Sequence, residues 1–187
     1  MGRGSTVRTL AGAGLIALAA LGCGGGNTTP ADVTPDPQTV TALDGRFELR
    51  FTVDRTTLRP GDSITGTAEL WLKAGGSGAL SGSSDLFSFE FLEVGGQQRS
   101  VAPVISTDCS PHQVGADRPL TSAIYKSGSP EAAGANAEFV RQFLAGDAIN
   151  LPAGTWDISA VAGFVDGRSC AGLQHRIRST IRVTVNG

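Results

Sequence analysis

Two cysteines and the only two histidines of the chain fall into two short segments. They are Cys109-x2-His112 in "STDCSPH" and Cys170-x4-His175 in "GRSCAGLQH". Together they offer two sulfur and two nitrogen ligands, the set a tetrahedral zinc ion takes. In an exported protein the same two cysteines most simply join each other. That disulfide closes a loop of about 60 residues, worth roughly 4 kcal/mol in the chain-entropy model. The spacings differ from the usual pairs of zinc cysteines, and export favours oxidation, so the disulfide is the expected state and zinc the alternative.

Other chemistry finds little support. There is no G-x-S-x-G turn to present a nucleophile, and Ser122 and Lys126 in "SAIYK" are four apart rather than the three of S-x-x-K. A Ser-His-Asp triad drawn from His112 or His175 and any of many serines carries no information. The Gly-rich "KAGGSGALSG" lacks the G-K-S/T that would make it a phosphate cradle. Asp85, Asp108 and Asp117 lack the spacing of a calcium loop. No catalytic residue, metal or cofactor is expected. The chain is read as a non-enzyme.

The third cysteine, Cys23, lies in a patterned N-terminus. Arg3 and Arg8 precede an apolar run, Leu10 to Leu21, and no acidic residue occurs before Asp32. About a dozen apolar residues suit a secretory signal and fall short of the ~20 of a spanning helix. "ALGC" at residues 20 to 23 resembles the lipobox of bacterial lipoproteins, with Gly22 and Cys23 matching its last two positions. Ala20 and Leu21 depart from the usual Leu followed by a small residue. The resemblance implies removal of residues 1–22 and lipidation of Cys23, with several acyl chains giving stable attachment. Gly24 after the cysteine, rather than Asp, implies the outer membrane in a two-membrane cell, and the outer face of the plasma membrane otherwise.

The 187 residues suffice for one ordinary domain plus extras. Apolar residues make up 40 % and charged ones 17 %; lysine is limited to Lys73 and Lys126. Without residues 1–22, 13 basic residues face 17 acidic ones, and this mild acidity provides no footprint for nucleic acid. Residues 23–44 are expected to form a tether, the stretch 24–40 being rich in Gly, Pro and Thr with almost nothing to bury. Asn27-Thr28-Thr29 matches a glycosylation sequon, a motif short enough to arise by chance.

From residue 45 the apolar period is two. Phe47, Leu49, Phe51 and Val53 alternate with polar residues, and "SITGTAELWL", "LFSFEFLEV" and "TSAIYK" continue the pattern. So do "GTWDISAVAGF" and "HRIRSTIRVTV", the last showing Arg176, Arg178 and Arg182 on its outer face. Such a row is expected to be solvated and to protect a sheet edge. Residues 73–85 read as a long Gly/Ser hairpin loop. Phe139, Val140, Phe143 and Leu144 predict one short amphipathic helix, capped by Asn136 and stopped by Gly146.

About seven strands separated by turn signals predict an all-β antiparallel β-sandwich over residues 45–187, with one inserted helix. "LRPGDSITGTAEL" followed by "LPAGTWDISAVAGF" is similar to bacterial immunoglobulin-like modules, in which a PGD turn opens one strand and L-x-x-G-x-W a late one. The layout also resembles the intracellular proteinase-inhibitor sandwich family and bacterial lipoproteins whose mature part is one such domain. The resemblance implies an immunoglobulin-like fold, with excess length over the ~100 residues of the minimal domain in residues 73–85, 94–118 and the helix. The function expected is a lipid-anchored, extracytoplasmic binding or structural module. Its partners are the membrane, through Cys23, and an envelope or extracellular protein or surface component. The alternatives are a proteinase inhibitor, with "STDCSPH" as its presented loop, and a zinc-handling lipoprotein using Cys109, His112, Cys170 and His175.

Overall fold

The computed structural model describes residues 36–187, except 74, 130–133 and 135. Residues 1–35 lie outside this range, and with them the expected signal segment 1–22, Cys23 and the sequon match at Asn27.

Two sheets face each other. The smaller has the order β1-β2-β4-β8, built from β1 (Gln38–Asp44), β2 (Phe47–Val53), β4 (Gly66–Leu72) and β8 (Leu120–Ala123). The larger has the order β3-β10-β9-β5-β6, with β7 also pairing β5. Its members are β3 (Thr57–Leu58), β5 (Ser77–Glu93), β6 (Ser100–Val101), β7 (Ser110–Gly115), β9 (Gly154–Asp166) and β10 (Gln174–Val185). All pairings are antiparallel except the two-residue contact of β3 with the end of β10. The all-β sandwich, with a single short helix among the described residues, is thus the observed architecture.

The alternation in the sequence sets the register. Phe47, Leu49, Phe51 and Val53 of β2 are buried, as are Trp156, Ile158, Ala160, Ala162 and Phe164 of β9. A side-chain period of two places each set on one face, and the two faces meet across the core. Burial of an aromatic or aliphatic side chain of this kind stabilises by about 1.5–3 kcal/mol. The Arg row of β10 is exposed as expected and pairs along the sheet. Arg182 makes two bonds to Asp157, at 2.8 and 2.9 Å, while Arg176 and Arg178 share Glu90.

Helix α1 (Ala137–Ala145) buries Val140 and Phe143. It closes the core beside Phe91 and Trp156, with Phe143 5.0 Å from the first ring and Phe139 5.5 Å from the second. Asn136 does not cap it through its side chain, which instead donates to Ser100 Oγ at 3.0 Å. The helix has no basic residue in its last turn. Lys126, from the segment after β8, fills that role: Nζ donates to the carbonyls of Phe143 (2.8 Å), Gly146 and Ala148 (3.1 Å). A cation satisfying the orphan carbonyls of a helix C-terminus also opposes its dipole.

Two expectations are corrected. Residues 38–44 are not tether: they form β1, in register with all of β2. Val40 and Ala42 pack against the core, so this polar-looking strand has an apolar side. Residues 77–85 are not a hairpin loop but the first half of the 17-residue β5, paired with β7 and β9. Only the segment around Gly75 and Gly76 turns. The strand is interrupted by a bulge: Gly82 pairs with Phe164 and Phe87 with Ala162, so five steps on β5 match two on β9. The odd number of extra residues switches the inward parity. Gly78, Leu80 and Gly82 lie on one inward set before the bulge, and Phe87, Phe89 and Phe91 on the other parity after it.

Candidate functional site

The bulge on β5 and an irregular strap, residues 102–109 between β6 and β7, build a concave surface on the sandwich. Between them, on the outer face of the larger sheet, lies a cleft of about 300 Å³. Its floor is the outward side of β9, where Val161, Gly163 and Val165 point. Val161 and Val165 are 3 % and 5 % exposed, so this outer face is covered where that of β10 is open. Gly163 leaves a notch: a Cβ built there meets no atom within 4 Å. Leu86 of the bulge forms one wall, and Val104 and Ile105 of the strap the other. These two strap residues are 60 % and 54 % exposed, among the largest apolar exposures in the described residues. Leu173, 73 % exposed, adjoins Gln174 at the rim.

The two cysteines and two histidines singled out by their chemistry hold this region together. Cys109 and Cys170 are disulfide-bonded, with Cα atoms 6.0 Å apart and a separation of 61 residues. The bond joins the strap to the loop that follows β9. His112, on β7, donates from Nε2 to the carbonyl of Ser83 in the bulge at 2.9 Å. His175, at the start of β10, stacks on Phe164 with ring centroids 5.1 Å apart and donates from Nδ1 to Asp44 Oδ2 at 2.7 Å. That contact links the larger sheet to the end of β1.

The zinc set Cys109, His112, Cys170 and His175 is not brought together in this structure. The two sulfurs are joined to each other, and the two imidazoles turn to different partners. Among the described residues no group of three or more His, Cys, Asp or Glu side chains is placed to hold a metal ion. "STDCSPH" is also not a free loop, because Ser110 to His112 belong to β7 and pair with Gly82 to Leu80.

Asp108, set aside in the sequence as a calcium ligand, is the strap's polar anchor. Its carboxylate accepts from Ser84 N at 3.0 Å, from Ser110 Oγ at 2.8 Å and from Ser106 Oγ. The hydroxyls of Ser106 and Ser110, then the Ser84 amide, favour the charged form and hold its pKa down to about 2, from an ordinary 3.8. The signal for this cradle is a serine on either side of an aspartate at i±2, in "STDCS". Midway, Ser127 Oγ receives a bond from Val104 N and gives one to Val104 O, both 3.2 Å. Tyr125 donates to the carbonyl of Phe87, where the bulge rejoins the ladder. Burial, then the charge of Asp85, pushes its phenol pKa above the ordinary value.

Charge in the cleft is mixed. Asp85 and Asp108 lie toward the bulge, and Arg176 at the mouth is exposed and only loosely paired, 3.4 Å from Glu90. The arrangement ties the hydroxyls of Ser106 and Ser110 to the Asp108 carboxylate. What it offers is an apolar recess with a hydroxyl-rich rim, suited to seating an aliphatic group while polar atoms orient its neighbours.

The cleft also has a fixed place along the sandwich. β1 runs from Gln38, paired with Val53, to Asp44, paired with Phe47. Its six steps span roughly 20 Å. Phe47 packs edge-on against Phe164 at 4.8 Å, so the Asp44 end is the end of the cleft and the disulfide. The chain enters the sandwich at the other end. Compared with family models, curated proteins and solved structures, the chain matches none.

Proposed function

We propose that the protein is a lipid-anchored, extracytoplasmic binding module of immunoglobulin-like type with no catalytic activity, and that the strap and bulge form its recognition surface. The observation that carries the reading is the cleft itself. Two exposed aliphatic side chains, Val104 and Ile105, are held beside an apolar recess by a disulfide, a carboxylate cradle and a histidine bond. Exposed apolar groups on a rigid support mark interaction sites, because the entropy of ordering them has been met by the fold. The disulfide suits an oxidising compartment. A lipid on Cys23 would attach the domain to a membrane, and the partner of the cleft would be an envelope or extracellular protein.

Site-specific photo-crosslinking in whole cells tests this. A photoreactive residue at Val104 or Ile105 is expected to capture one defined partner, and the same residue at Thr41, on the outer face of the smaller sheet, to capture none. Equal capture at all three positions would contradict the reading. Intact mass of the membrane-extracted chain reports removal of residues 1–22 and acylation of Cys23.

One observation favours proteinase inhibition as a second reading. The strap is irregular, exposed and tied at Cys109, which are attributes of a loop presented to a protease. Inhibition of one member of a broad protease panel by the full chain, lost on Ile105→Glu, would establish it.

A further inference from the structure

The disulfide that walls the cleft differs from the rest of the structure in what surrounds it. Cys109 and Cys170 are both exposed, and no residue from Ala102 to Cys109 is buried. The loop Gly167–Gly172 likewise buries nothing. It is held at its start by Gly167, whose N donates to Ala79 O at 2.9 Å and whose carbonyl accepts from Ser81 Oγ at 2.8 Å. Segments without buried apolar contacts open locally at low free-energy cost, whereas strands in the core open only with the whole. Beside the strap, β9 and β10 pair over twelve consecutive positions and bury Trp156, Ile158, Ile177 and Ile181. None of these contacts passes through a sulfur.

We propose that the Cys109–Cys170 bond is a redox lock on the cleft: a dithiol releases the strap while the sandwich stays folded, and the cleft loses one wall. The step is thiol–disulfide exchange. A thiolate of the dithiol attacks one sulfur, the S–S bond breaks, and a mixed disulfide forms. The second thiol of the reductant then displaces the protein sulfur. Cys109 and Cys170 each end as a protonated thiol, and the reductant leaves as its disulfide. Exposure of both sulfurs gives the attacking thiolate access. In the reduced state only the Asp108 cradle, the two Val104–Ser127 bonds and the end strands restrain the strap, and all of these bonds are exposed. The release carries Val104 and Ile105 away from Leu86 and Val165. This lock is a regulation of the binding site proposed above and rests on that reading for its purpose, not for its chemistry.

The test uses the full chain, oxidised and reduced with dithiothreitol, and needs no ligand. Thermolysin, which cuts before aliphatic residues, is expected to cleave the Val104–Ile105 bond faster in the reduced form, by on the order of tenfold or more. Amide exchange of β9 and β10 is expected to stay unchanged, and reoxidation to restore resistance. The double variant Cys109→Ser with Cys170→Ser should behave as the reduced form without reductant. Unchanged cleavage on reduction would overturn the lock, since the remaining bonds would then suffice. Loss of protection throughout β9 and β10 would also overturn it, because the disulfide would then be a staple of the whole fold. A strap that opens on reduction in a protein capturing no partner at Val104 would leave the lock standing and remove the binding role.

Discussion

Two segments flank the short strand β6, and they are held in opposite ways. Before it, the turn between Glu93 and Arg99 is closed by a buried ion pair. Glu93 is 6 % exposed, and its carboxylate accepts from Arg99 Nη2 (2.6 Å) and Nε (3.0 Å) and from the amides of Gln97 and Arg99 (3.1 Å each). The guanidinium lies over the rings of Trp156 and Phe139, at 5.3 and 5.6 Å. Gly96 sits at φ +53°, and a Cβ there would come within 2.6 Å of Glu93 Oε1. After β6, the strap has a covalent tie and exposed hydrogen bonds but no buried side chain. One turn is fastened into the core by charge; the other is fastened onto the surface by sulfur. Reinforcement by burial rigidifies the domain as a whole, whereas reinforcement by an exposed bond leaves a segment that can be released alone.

The largest expected effect lies on the buried side. Glu93→Ala leaves the half-buried Arg99 guanidinium and the amides of Gln97 and Arg99 without their acceptor, a loss of about 3 kcal/mol. A denaturation midpoint unchanged by this substitution would show that the turn is not part of the core. The pair also sets an acid limit. The Arg99 bond holds the Glu93 pKa below its ordinary 4.5, so its stabilisation is present above that value and is lost as pH falls through the lowered folded one. Asp108, by the same sign, keeps its cradle until pH falls below about 4 and loses it toward its folded value of about 2. Acid titration followed by Trp fluorescence should therefore report loss of the Glu93 turn, and a protease active in acid should report release of the strap as pH falls from about 4 toward about 2.

Reduction of the disulfide comes next. The chain-entropy model assigns roughly 4 kcal/mol to a loop of this length, provided the native state is unaltered by the cut. Because the strap gains freedom in the folded protein too, the measured loss of global stability should be smaller than that. A full 4 kcal/mol with unchanged strap proteolysis would make the two segments alike after all. Lys126→Met removes the cation from the helix C-terminus and is expected to cost about 1–2 kcal/mol. Fraying of α1 by amide exchange checks it.

The sandwich was legible wherever inward positions carried large apolar residues at period two, as in β2, β9 and β10. The disulfide was legible from a cysteine count and an exported pattern. The first half of β5 was not, because its inward positions include Gly78 and Gly82, and a bulge then shifts the parity before Phe87. β1 was missed because Thr39 and Thr41 make it read as tether, although Val40 and Ala42 face the core. The cleft is harder still. Its walls come from residues near 86, 105 and 163, brought together by three-dimensional pairing, and Gly163 contributes by lacking a side chain. Glu93 and Arg99 carry no mark in the sequence, since six residues of spacing do not reveal that a turn folds one onto the other.

The smallest expected change in stability belongs to the substitution that probes function most directly. Gly163→Val adds an isopropyl group whose Cβ meets no atom within 4 Å, on a strand that favours β-branched residues, so folding should change by less than about 0.5 kcal/mol. It also fills the floor of the cleft. Photo-crosslinking from Val104 in cells, compared between the natural chain and Gly163→Val at matched abundance, tests the central claim that the cleft is the recognition surface. The account predicts that the captured partner disappears in the variant. Capture of the same partner at the same yield with the floor filled would contradict it.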